Sequence, residues 1–245
     1  MQKWDWGVLL SQVPSGETTY LGWLFLGLKW TVFLGLSAWV IALVLGSLLG
    51  VLRTVPNKWL SGIAAVYVEV FRNIPLLVQL FIWYFVLPEL LPTSMGNAFK
   101  QMNPLLQQFI AATVCLGLFT AARVCEQVRS GIGSLARGQK NAGLALGLTL
   151  PQTYKHVLLP MAFRIIVPPL TSEFLNIFKN SAAASTIGLI ELSRQAQQLN
   201  DYTAQGYVSF ISVTLGYFLI NFVVMALMRW VEVAVRVPGY IGGGR

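Results

Sequence analysis

Few residues in this chain could do chemistry, and most of them interrupt apolar runs. Glu69, Arg72 and Asn73 fall within one helical turn, so Glu69 and Arg72 have the i,i+3 spacing of an ion pair. Glu173, Asn176 and Asn180, at i, i+3 and i+7, share one helix face, and Lys179 lies near the end of that segment, where its stem can snorkel. An ionisable group inside a bilayer costs several kcal/mol unless it faces protein or water, so such residues mark a polar path by default. The plain alternatives are that Arg72 ends a half-turn and that Arg164 snorkels to an interface. Catalysis finds no support. His156 is the sole histidine, which removes His-based triads and two-His metal sites. Glu69 and Glu173, the acids inside apolar segments, belong to different helices. Gly133-x4-Gly138-Gln139-Lys140 lacks the Gly-Lys-Ser/Thr ending and the preceding strand of a phosphate loop. Cys115 and Cys125, ten residues apart, would stand about 15 Å apart along a helix and read as small buried hydrophobes.

The elements that must position these residues follow from composition. Of 245 residues, 56% are hydrophobic and 11% charged, with a net charge of +8. A soluble domain carries about 25% charged residues, so the balance excludes a disordered chain, a disulfide scaffold and a water-soluble enzyme. It implies a single all-α, polytopic membrane domain over 1–245. A span takes about 20 apolar residues, which predicts five, over about 21–52, 59–87, 105–129, 157–179 and 207–230, with a polar loop at 130–156. No cleavable signal peptide is evident at the start, which holds Asp5 and Glu17 and lacks an apolar stretch. The first, third and fifth spans are free of charge over most of their length. The second and fourth are broken, by Pro75 and by Pro168 and Pro169. Gly46 and Gly50 form a GxxxG spacing that permits close helix approach. Arg53, Lys58, Arg123, Arg129, Arg137, Lys140, Lys155, Arg164, Arg229, Arg236 and Arg245 gather on one side, against Lys3, Lys100 and Arg194 on the other. The positive-inside rule then places the N-terminus outside and the C-terminus in the cytoplasm, and explains the basic charge without nucleic acid.

The 130–156 loop reads Asn141-Ala142-Gly143-x3-Gly147-x9-Val157-Leu158-Leu159-Pro160. It resembles the E-A-A-x3-G-x9-I-x-L-P signature of ABC-importer permeases, with Asn141 at the glutamate position and Gly143 at the second alanine. Glu69-x-Phe71-Arg72-Asn73-x-Pro75-Leu76-Leu77-x-Gln79-x4-Tyr84-x2-Leu87-Pro88 is similar to the polar amino-acid subgroup of that family. So is Leu159-Pro160-x-Ala162-x-Arg164-x3-Pro168-Pro169 followed by Lys179-Asn180-Ser181. The opening Thr18-Thr19-Tyr20-Leu21-Gly22-Trp23 and the closing Arg236-Val237-Pro238-Gly239 resemble glutamate/aspartate import permeases.

This resemblance implies the type I importer permease fold in a bacterial inner membrane, with a short cytoplasmic coupling helix. Asn141, Ala142, Gly143, Gly147, Leu159 and Pro160 would form the surface that docks on an ATPase, with Gly147 allowing the turn and Pro160 starting the next span. Small residues let a partner backbone approach, Leu144, Leu146 and Leu148 offer an apolar ridge, and Arg137, Lys140 and Lys155 a polar rim. Arg72, Asn73, Gln79, Glu173 and Asn180 would line or shape the substrate path. Many subgroup members carry an acid where Asn180 stands; its absence leaves Arg72 and Lys179 less neutralised, which suits glutamate and aspartate and also fits a neutral amino acid. The implied partners are a second permease, a non-identical paralogue, two ATP-binding subunits, a periplasmic substrate-binding protein and membrane lipid. No cofactor is expected on this chain, since ATP and Mg would sit on the partner subunits. Permeases for glutamine, arginine or cystine fit the same motifs. A membrane receptor or assembly scaffold fits the same composition.

Overall fold

A computed structural model describes residues 4–235, so Lys3 and the segment from Arg236 to Arg245 lie outside the described residues. The described chain is helical, with one isolated bridge between Gln12 and Thr19. A 3-10 turn, Trp6–Leu10, precedes α1, Tyr20–Leu52, which opens where Thr19 Oγ1 accepts from the Gly22 amide at 3.2 Å. It ends in a turn at Arg53 and Thr54. Asn57 then caps α2, Lys58–Asn73, accepting from the amides of Trp59 and Leu60.

The second apolar region breaks where the sequence puts Pro75. Proline pushes the residue before it out of the helical region, and Ile74 is extended at φ −94° and ψ 129°. The chain resumes as α3, Leu76–Leu90, bent 102° from α2. Gln79 repairs the break: its Nε2 donates to the carbonyls of Phe71 and Ile74, both at 2.8 Å. A π turn occupies Ile82–Val86 within α3. Thr93–Lys100 forms the short α4, tied back by the Lys100–Glu89 ion pair at 2.6 Å.

Long helix α5, Pro104–Gly133, runs alongside α1 in the same direction. Gly46 and Gly50 are the contact points. A Cβ on Gly46 would meet Val124 Cβ at 2.6 Å and the Ala121 carbonyl at 2.7 Å, and one on Gly50 would meet Val128 Cβ at 2.6 Å. Next come α6, Arg137–Ala145, and a turn through Gly147, whose φ of +82° is a left-handed value that disfavours a side chain.

Helix α7 is continuous over Leu150–Ile187 and closes in a 3-10 stretch, Ser181–Ile187. It starts earlier than the predicted 157 and not at Pro160. Thr149 and Gln152 form a capping box around Pro151, which supplies a ready start. Pro160 instead follows a π turn over Tyr154–Leu158. Two further helices complete the fold: α8, Leu192–Thr203, and α9, Gly206–Val235. Helices α1, α5, α7 and α9 are each long and apolar enough to cross a membrane, and the bent pair α2–α3 provides a fifth crossing when counted as one span. The core lies where α1, α5 and α7 meet, at Leu34, Leu116, Ile177 and Phe178, with Gly35 seated under the Phe178 ring.

Candidate functional site

Two polar regions stand apart from this core. The first lies at the break. Arg72 and Asn73 are exposed at the end of α2, and α3 packs on α5 and on the 3-10 stretch that follows Asn180. Glu173 of α7 is buried, with its Oε2 unpartnered. The polar groups that act on it come from other helices: Arg123 and Gln127 of α5, and Arg72 of α2. Arg123 also lies over the Phe119 ring one turn away, 5.0 Å from its centroid. The predicted Glu69–Arg72 pair does not form. Glu69 Oε2 accepts from Asn73 Nδ2 at 3.0 Å, one full turn on, and the charge of Arg72 acts instead on Glu173. Gln79 is buried and its donor is committed to the broken backbone, while its Oε1 stays unpartnered. A cavity of about 220 Å³ opens there between Phe71, Ile74, Gln79 and Trp83. Asn180, partly buried, ends the α-helical part of α7.

Of the five path candidates, Arg72 acts on Glu173 through its charge, and Gln79 sits at the break bonded to its open carbonyls. Asn73 is turned to Glu69. Arg123 and Gln127 join the cluster although sequence reasoning counted Arg123 only as a flanking charge. Their i,i+4 spacing on the third span was the available signal. Two guanidinium groups, Arg72 and Arg123, act on the Glu173 carboxyl, and the Glu69 carboxylate stands one turn before Arg72.

The second region is the α6 turn. Asn141, Ala142, Leu144 and Ala145 are exposed, and Leu146 is 83% exposed at the tip. Gly143 faces inward, where a Cβ would meet Thr153 Cγ2 at 2.9 Å. Lys155 is exposed and Lys140 partly so. Leu159, half-buried, and Pro160, exposed, lie about ten residues into α7, away from the tip, so they belong to the helix that the turn feeds.

One buried acid escaped the sequence reading. Glu191 caps α8 with no solvent exposure, accepting from the Arg194 amide at 2.8 Å and from the Tyr217 hydroxyl. Burial pushes its carboxyl up to about 7, against the hydrogen bonds from Tyr217, Ser193 and the local amides, which favour the ionised form.

Residues 42–237 match the family described as "binding-protein-dependent transport system inner membrane component". The chain is 57% identical over 241 residues, 98% of both chains, to the glutamate/aspartate import permease protein GltJ of Escherichia coli O6:H1. It is 30% identical over 232 residues, 95% of this chain and 98% of the other, to the permease protein GltK of the same strain, which carries the same import name. Among solved structures, a chain of an amino acid ABC transporter with histidines superposes with a TM-score of 0.74 at 29% identity, covering 88% of this chain and 95% of that one.

Proposed function

The chain belongs to the family of binding-protein-dependent transport system inner membrane components, and from that membership we propose that it is the membrane-spanning permease subunit of an ATP-driven importer of glutamate and aspartate. The observation that carries this reading is the 57% identity across 98% of both chains to a permease of that name. The charge of the break region supports the substrate class. Arg72 and Arg123 bring two guanidinium groups there, one for each carboxylate of an acidic amino acid.

In this reading the chain works with a second, similar but non-identical permease, as the two differently related permeases of one strain suggest. Two ATP-hydrolysing subunits bind below and an external binding protein delivers substrate. ATP and Mg belong to those subunits, and this chain takes no chemical step. The N-terminus is external and the C-terminus cytoplasmic, so the α6 turn faces the ATPase. Leu144 and Leu146 supply the apolar contact, Asn141 and Ala142 the close approach, and Gly147 the reversal that carries movement into α7. Closure of the ATPase pair on ATP would draw the α6 turns together and open the permeases outward, and hydrolysis would reset them. Arg72, Gln79, Glu173 and Asn180, with Asn73 orienting Glu69, shape the path that this movement exposes.

The test is ATPase activity of the reconstituted complex with its binding protein, offered glutamate, aspartate, glutamine and arginine in turn. Stimulation by the two acidic amino acids alone is expected. Stimulation by glutamine or arginine instead would keep the family and discard the substrate class. Arg72→Ala should lower uptake at least tenfold while the ATPase subunits still co-purify; wild-type uptake and affinity would remove Arg72 from the path.

A further inference from the structure

The α6 turn packs on the opening of α7, through Gly143 against the fully buried Thr153. Movement there passes directly into α7 and through the core into α1 and α5, while the turn between α1 and α2 needs a separate connection. One residue supplies it. Tyr154, next to Thr153 and 7% exposed, points its hydroxyl at the end of α1. Its Oη donates a single proton toward Thr54, 2.8 Å from the carbonyl oxygen and 3.1 Å from Oγ1. That carbonyl lies just past the end of α1, among groups a helix leaves without an internal donor. Thr54 Oγ1 donates to Val51 at 2.8 Å, so the accepting atoms are fixed. The connection then spreads. Arg53 is ion-paired with Glu126 of α5, whose other oxygen accepts from Arg129 at 2.8 Å, and Ser61 of α2 donates to the Arg53 carbonyl at 3.4 Å. The π turn over Tyr154–Leu158 begins at this tyrosine. Beside it lies a cavity of about 180 Å³ bordered by Thr54, Gly133, Ala136, Lys140 and Tyr154. Around that space the α6 turn and the α1–α2 turn are not packed solidly on one another, and the hydroxyl ties the α1–α2 turn to the opening of α7.

We propose that the Tyr154–Thr54 hydrogen bond is the link that carries movement of the coupling turn into the turn between α1 and α2, making Tyr154 a positioning residue for transport. The inference rests on the reading that the α6 turn docks on an ATPase. A merely structural tyrosine would, when altered, lower hydrolysis and uptake together. A linking tyrosine separates them, because the ATPase still docks and turns over while part of the permease no longer follows.

The experiment uses the complete complex, both permeases, ATPase subunits and binding protein, in proteoliposomes, and measures uptake of radiolabelled glutamate per ATP hydrolysed. If the substrate panel above selects another amino acid, that one replaces it. For Tyr154→Phe the expected result is retained ATPase subunits, hydrolysis within twofold of wild type and at least a fivefold fall in uptake per ATP. Thr54→Val, which keeps the carbonyl acceptor and loses the hydroxyl, should fall in the same direction by less, and decides the matter if Tyr154→Phe does not assemble. An unchanged ratio, or a proportional loss of uptake and hydrolysis, overturns the link. Leu146→Asp tests the docking reading separately: loss of the ATPase subunits supports it, and intact docking with full uptake overturns that reading and the link with it.

Discussion

At the scale of residues, the buried carboxyl of Glu191 ties stability to pH. Its value in the folded chain, about 7, exceeds the 4.5 of an unperturbed glutamate. The folded state therefore holds the proton more tightly than the unfolded one. The stability this gives is complete below about pH 4.5 and is lost as pH rises through about 7, a difference of about 3 kcal/mol. The thermal midpoint of the purified complex should fall as pH is raised from 5 to 8, and Glu191→Gln should flatten that profile. A variant profile as steep as wild type would assign the pH response to another group. Glu191 was not legible in the sequence because nothing local distinguishes an acid that caps a helix in water from one that caps it inside protein. Its burial depends on Tyr217, 26 positions away. Tyr154 was hidden for a related reason: it falls among the nine unspecified positions of the loop motif, and its partner lies 100 residues earlier. Arg123 was read by its neighbours in sequence, as one of a cluster of basic flanks, whereas its role comes from Glu173 on another helix. Arg72 and Glu173 were legible because a charge in an apolar run is anomalous wherever the chain folds.

At the scale of elements, the two π turns share a local grammar. Ile82–Val86 runs directly into Leu87-Pro88, and Tyr154–Leu158 into Leu159-Pro160. A proline inside a helix lacks an amide and its ring crowds the carbonyl four residues back. A wider π turn just before it relieves that crowding: the Leu87 and Leu159 amides reach back five residues, to the carbonyls of Ile82 and Tyr154. This is why Pro160 does not open the fourth span. The true start, Thr149-x-x-Gln152, was present in the sequence as a capping box, but the Leu-Pro signal drew the boundary seven residues late, to 157. Gly46 and Gly50 are the opposite case, where the spacing alone indicated the close helix contact. Gly46→Leu should destabilise the α1–α5 pair by about 1–3 kcal/mol, lowering the thermal midpoint of the complex. Gly62→Leu, on α2 with nothing within 4 Å of a Cβ, is the control expected to change little. Equal shifts in the two variants would show that lipid exposure, and not the α1–α5 contact, governs the outcome.

For the whole molecule, the long apolar helices α1, α5 and α9 were readable from their clean runs, and the proposed orientation from the clustering of basic residues. Orientation has a direct measurement. In a chain whose Cys115 and Cys125 are alanine, Asn97→Cys should react with a membrane-impermeant maleimide in right-side-out vesicles, and Leu146→Cys only in stripped inverted ones. The reverse pattern would invert the topology and remove the α6 turn from the ATPase side. What composition did not reveal was the angle of the second crossing, because Pro75 announces a break but not 102°. That break also sets a depth gauge. Helix α2 has 16 residues and reaches about 24 Å, and α3 about 22 Å, each short of the ~30 Å hydrocarbon layer. The altitude of the Arg72–Glu173 cluster in the membrane is thus fixed by how many residues separate Lys58 from Pro75. One extra turn inserted in α2 would raise the cluster's Arg72 half by about 5.4 Å while Glu173, measured along α7, stayed where it was. The proposed path is thus measured out by two independent rulers, and it closes into one site only when their lengths agree.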